Sequence, residues 1–91
     1  MRYEIEISKN AIEDILYLKK TDKAAYKKLE SLLTELREHP TTGTGKPELK
    51  KFNLSGCYSR RISQKHRLVY QIFEHTVTVL ILSAAGHYGD K

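Results

Sequence analysis

The chain opens on an alternation. Tyr3, Ile5 and Ile7 share one parity and Arg2, Glu4 and Glu6 the other, which predicts a strand over 2–7 buried on one side. Ser8 is placed to cap a helix. Ala11, Ile15 and Leu18 then recur at helical spacing, flanked by Ile12 and Leu16, and predict an amphipathic helix over 9–20. Thr21-Asp22 signals a second cap. Ala25, Leu29, Leu32, Leu33 and Leu36 form the apolar stripe of a second helix of about four turns. Arg37 and His39 are expected in its last turn, against the negative end of the helix dipole, and Pro40 stops it. Both stripes read as core faces rather than partner grooves.

After a Gly-, Thr- and Pro-rich loop at 41–47 the pattern changes to β. A weak strand is predicted over 49–53 and a turn at Ser55-Gly56. Further strands follow over 58–63, 66–73 and 76–84. The last two are apolar on both parities in their middles (Leu68, Val69, Tyr70; Val79, Leu80, Ile81), which marks them as central. The Glu74-His75 junction is short enough for a hairpin but lacks the usual Gly or Asn. The order β-α-α-β-β-β predicts one α+β domain over residues 1–91, with two helices packed on one face of a mainly antiparallel sheet.

Composition narrows the classes. The 91 residues, 40% hydrophobic, suffice for one small core. The single Cys57 excludes an internal disulfide and fits a reducing compartment. The start, MRYEIEISKN, has no apolar h-region, and the longest apolar run, Val79 to Leu82, is far short of the about 20 residues that span a bilayer. A cytoplasmic protein is expected, with no membrane partner.

Charge singles out one stretch. Residues 45–70 carry Lys46, Lys50, Lys51, Arg60, Arg61, Lys65 and Arg67 against one acid, Glu48, while residues 1–44 balance to zero. The net charge of +5 therefore arises there. This is a seat for a polyanion with one base among the cations, or else a solvated basic loop with an incidental Glu. Strand parity bears on the choice. If Ile62, Leu68 and Tyr70 face the helices, Arg61 and Arg67 share the opposite face, where paired guanidinium groups suit phosphate oxygens.

The residues match one chemistry in particular. RNA carries its own nucleophile, the 2′-hydroxyl. Its cleavage needs a base, cations for the charge that builds on phosphoryl oxygens, and an acid for the leaving 5′-oxygen. Glu48 is the candidate base, Arg61, Arg67 and nearby lysines the clamp, and His87 the acid. Tyr58 and Tyr88 are the aromatic candidates for stacking on bases. His66 and His75 read as strand-end residues and His39 as a helix-end residue. No His pair has metal-ligand spacing with an acid or Cys beside it, so no metal site and no cofactor is expected.

GKPE, NLSG, SRRI and HRLVY, in this order and spacing and with a closing His-Tyr, resemble the Txe/YoeB family of bacterial toxins within the RelE-like superfamily. The resemblance spans nearly the whole chain. It implies a RelE-like fold and a ribosome-dependent endoribonuclease that cuts messenger RNA at the ribosomal A site. It also implies the toxin half of a type II toxin–antitoxin pair, with an acidic antitoxin and a toxin homodimer as partners. Glu48 is implied as general base, Arg67 as transition-state stabiliser, and His87-Tyr88 as the terminal acid and its neighbour. Lys46, Lys51 and Arg61 match substrate-contacting basic positions. Three departures stand out: Cys57-Tyr58 in place of two aromatics, Ala84-Ala85-Gly86 before His87, and Gly89-Asp90-Lys91 beyond the usual His-Tyr end. Two alternatives stay open: a catalytically inactive RNA- or ribosome-binding member of the fold, and a basic DNA-binding partner protein. The second lacks a helix-turn-helix signal, since the charges from Asp22 to Glu38 nearly cancel.

Overall fold

The computed structural model describes residues 2–41, 48–49 and 57–85, with only the backbone of 48–49. Strand β1 (Glu4–Ile7) leads into helices α1 (Lys9–Thr21) and α2 (Lys23–Leu36). Strands β2 (Glu48–Leu49), β3 (Cys57–Arg61), β4 (Arg67–Phe73) and β5 (Thr78–Ser83) follow. The sheet order is β1-β5-β4-β3-β2. β1 runs parallel to β5, and the other neighbouring pairs are antiparallel. β4 and β5 are thus interior strands, as their two-sided apolar runs require. The remainder of the weak strand expected over 49–53 lies outside the described residues.

Both helix caps form where the sequence signals them. Ser8 Oγ accepts from Ala11 N at 3.1 Å and Asp22 Oδ1 from Ala25 N at 3.1 Å, each satisfying an amide that the first turn leaves unpaired. Ser8 also donates to Leu82 O at 3.1 Å, so one residue both starts α1 and ties it to β5. α2 ends at Leu36, with Arg37 as its cap; His39 lies beyond the last turn rather than in it. Tyr3 N donates to Arg37 O at 2.7 Å, which docks the entry to β1 on the exit from α2.

The core lies between the helices and one sheet face. Leu18, Leu29, Leu32 and Leu36 from the helices meet Leu68, Tyr70, Val79 and Ile81 from the sheet. Burial of this apolar surface is the main stabilising term. The stripe on α1 departs from expectation. Ile15 is only partly buried, and Asp14 is buried beside Ala11 and Leu18. Ile12, Leu16 and Ile7 are exposed, as is Tyr17. β1 is an edge strand, so the apolar face of its last residue runs out beyond the cover of the helices.

The β4–β5 connection is a four-residue turn at 74–77, closed by Val77 N donating to Glu74 O at 3.2 Å. Val77 takes φ of 50°, the left-handed region that a β-branched residue enters only at a cost. Its carbonyl accepts from Glu4 N at 2.9 Å, so the strained residue also seats the first residue of β1. Further along the same pair the register shifts: Tyr70 faces Ile81 but Val69 faces Ser83. The extra residue, Leu82, is a β-bulge, a device that bends a strand and re-aims the residues beyond it.

Candidate functional site

The ladder from β2 through β3 to β4 sets the site. Glu48 stands in register with Ser59, Ser59 with Val69, and Arg61 with Arg67. Residues directly opposite in an antiparallel ladder point to the same face, about 4.5–5.5 Å apart at Cβ. Ile62, Leu68 and Tyr70 belong to the core, so Arg61 and Arg67 occupy the far face together, as parity requires. Arg61 is exposed and Arg67 half-buried. Two like charges directly across a ladder repel, and an anion held between them would offset that repulsion.

The far face is not bare. Cys57, Ser59 and Val69 share its parity and are buried. Burial pushes the Cys57 thiol up, which disfavours its thiolate. The Ser59 hydroxyl is buried, with no hydrogen-bond partner among the described residues. Tyr58 is a correction. It lies on the helix face, stacked on Tyr70 with ring centroids 5.9 Å apart, and does not join the arginines as a stacking surface for bases. Alternation dictates this: Tyr58 has the parity of Ile62, and Cys57 that of Arg61. Of the remaining predicted residues, Lys46, Lys51, His87 and Tyr88 lie outside the described residues, and for Glu48 the backbone register alone is described.

A second polar cluster was missed by sequence reasoning. Arg60, counted with the basic stretch, is completely buried. Its Nε donates to Tyr70 Oη at 3.0 Å, its Nη1 to Glu35 Oε1 at 2.8 Å and its Nη2 to the carbonyl of His39. Tyr70 Oη in turn donates to Pro40 O at 2.7 Å. Burial pushes the Tyr70 phenol above its ordinary value, and the adjacent Arg60 pulls against that rise. One buried guanidinium thus grips the end of α2 and the chain leaving it toward Lys46 and Glu48. The signal was available, since Arg60 shares its parity with Ile62. Asp14 was missed too, although a carboxylate within an apolar stripe calls for partners. Its Oδ2 accepts from Ala84 N at 2.9 Å and Ala85 N at 3.3 Å. His66 is buried rather than an ordinary strand-end residue, and its carbonyl accepts from Ile62 N and Ser63 N. Among the described residues no group of three or more His, Cys, Asp or Glu is placed to hold a metal ion, and no helix is long and apolar enough to cross a membrane.

Residues 7–88 match the model of the YoeB-like toxin of bacterial type II toxin–antitoxin systems. The chain belongs to this toxin family. Toxin YoeB of Escherichia coli strain K12 is 43% identical over 81 residues, covering 89% of this chain and 94% of that one. Two solved structures from Staphylococcus aureus superpose with TM-scores of 0.81 at 42% identity, each covering 97% of this chain and 100% of the other. One is a heterotetrameric YoeB–YefM toxin–antitoxin complex and the other a YoeB dimer. The YoeB-like fold is therefore the fold of this chain, with its two helices against a mixed sheet.

Proposed function

We propose that this YoeB-like toxin is a ribosome-dependent messenger RNA endoribonuclease, acting in the cytoplasm at the ribosomal A site. The observation that carries the reading is the direct pairing of Arg61 with Arg67 on the ladder that also holds Glu48, in a chain of this family. Two opposed cations repel until an anion lies between them, and a phosphodiester is such an anion.

Glu48 takes the proton of the 2′-hydroxyl, and the 2′-oxygen attacks phosphorus. Arg67 holds the charge that develops on the phosphoryl oxygens, and Arg61, Lys46 and Lys51 hold the flanking backbone. The bond from phosphorus to the 5′-oxygen breaks, and His87, with Tyr88 beside it, returns a proton to that oxygen. The products are a 2′,3′-cyclic phosphate and a 5′-hydroxyl. With Tyr58 turned inward, the far face has one aromatic fewer to hold a free strand. This fits a toxin that relies on the ribosome to position its substrate, a contribution of up to about 7–11 kcal/mol in favourable cases.

The S. aureus relatives support an antitoxin and a second toxin copy as partners. An acidic antitoxin would be steered to the basic stretch and would compete with RNA for its cations. Induction in bacteria, with mapping of messenger 5′ ends and of their end groups, tests the reading. Cuts confined to translated frames and bearing 5′-hydroxyls are expected. Intact messages would overturn it in favour of a binding-only member of the fold, and 5′-phosphates would overturn the route of attack.

A further inference from the structure

We propose that Asp14 is a positioning residue for the terminal acid, His87, an assignment that rests on the nuclease reading above. Asp14 sits on α1, buried, on the face turned to the core. Its Oδ2 receives the backbone amides of both Ala84 and Ala85, residues 70 and 71 positions away. Ala84 and Ala85 are themselves fully buried and come directly after β5. β5 ends at Ser83, one residue past the bulge at Leu82, and Ala84 and Ala85 lie beyond the ladder, without the strand pairing that would fix their amides. A single carboxylate oxygen supplies both bonds instead, each charge-assisted. Ser8 secures the preceding turn of chain, donating from Oγ to Leu82 O and from N to Ile81 O.

Covalent reach carries the effect to the acid. His87 is two residues past Ala85 in sequence, so fixing the Ala85 amide shortens the free chain that carries the acid to two peptide units. A general acid must meet the leaving oxygen at hydrogen-bond distance, and an error of about 1 Å can cost on the order of a hundredfold. The small residues Ala84-Ala85-Gly86 offer no long side chain to hold this segment from its own flank. Asp14 on α1 thus holds Ala84 and Ala85, and it acts on the chemistry through the backbone that leads to His87, without touching RNA.

The test compares full-length wild type, Asp14→Ala, Asp14→Asn and a core control, Leu32→Val. Two readouts are taken: single-turnover cleavage on programmed ribosomes, and nuclear magnetic resonance of the Ala84 and Ala85 amides and the His87 ring. Asp14→Ala is expected to lower the single-turnover rate about tenfold or more, with the half-saturating ribosome concentration unchanged. It should also speed exchange at both amides and shift the His87 ring resonances. Asp14→Asn, which keeps an acceptor, should recover most of the rate. Leu32→Val, which loosens the core elsewhere, should stay within about twofold of wild type. Slow amide exchange and an unmoved His87 ring in Asp14→Ala would overturn the proposal, as would a rate loss no larger than that of Leu32→Val. If wild type itself fails to cut, the nuclease reading falls. The amide and His87 resonances then still decide whether Asp14 places the segment. Should Asp14→Ala not fold, Asp14→Leu, which also removes the acceptor, carries the same comparison, with fast exchange at both amides and a shifted His87 ring expected and wild-type spectra overturning it.

Discussion

Arg60 and Arg61 are adjacent in sequence and opposite in environment. Arg60 points into the core, fully buried, with its guanidinium divided among Tyr70, Glu35 and the His39 carbonyl. Arg61 points out to the far face, exposed, opposite a like charge. Strand alternation alone separates them, and each charge serves a different end. Arg60 uses its donors to join sheet, helix and loop exit. Arg61 leaves its guanidinium exposed on the far face. A count of cations treats the two as equal, so the basic stretch offers a partner fewer charges than its composition suggests.

The largest break in this comparison is expected from Arg60→Ala. Removing one member of a buried ion pair strands the others, and a loss of about 3–5 kcal/mol in urea unfolding is expected. Arg61→Ala should stay within about 0.5 kcal/mol of wild type in the same assay. Equal losses would erase the distinction. Next come Glu48→Gln and Arg67→Ala, each expected to slow single-turnover cleavage on ribosomes by about a hundredfold or more, the scale of a general base or a charge stabiliser. Full activity in Glu48→Gln would remove it from the chemistry.

A subtler contrast concerns salt. If Arg61 meets phosphate, Arg61→Ala should reduce the slope of log affinity for RNA against log salt by about one. Arg60→Lys, if folded, should leave that slope unchanged. The smallest effect belongs to Tyr70. Its phenol is raised above the ordinary value of 10.0, chiefly by burial, so the folded state holds the proton longer than the unfolded chain does. The stability this contributes is complete below that ordinary value and is lost as pH rises through the folded one. Tyr70→Phe should cost about 1 kcal/mol near neutrality, for two lost hydrogen-bond roles partly offset by an apolar ring. It should also flatten the alkaline limb of a urea-midpoint profile. An unchanged limb would place the alkaline loss elsewhere.

These contrasts also show what a sequence can carry. Ser8 and Asp22 announce their helices because capping is local, and β4 and β5 announce their interior position because both parities are apolar. The shared face of Arg61 and Arg67 follows from counting residues along two strands. Asp14 and Arg60 were legible only in part. Their parity or stripe marks them as buried, but their partners lie 70 and 25 residues away and depend on how the layers stack. Tyr58 was misread because composition, rather than parity, was used to place it near the arginines. The exposed Ile12 and Leu16 were misread because helical spacing defines a stripe without fixing its width. The left-handed Val77 carries no local signal at all, since nothing in a β-branched residue favours that conformation.

The pairing of β1 with β5 also governs when the molecule can exist. The first strand has its ladder partner in the last, with Ser8 bonded to Leu82 across 74 residues of chain. A nascent chain emerging at roughly 5–20 residues per second can build α1 and α2 early, but β1 has no neighbour until β5 has appeared. Closing so long a loop precedes any gain from the contacts it makes, which slows the final step. Translation thus completes the β1 edge of the sheet last. Until β5 has appeared, β1 stays an open strand with its backbone groups unpaired by the sheet.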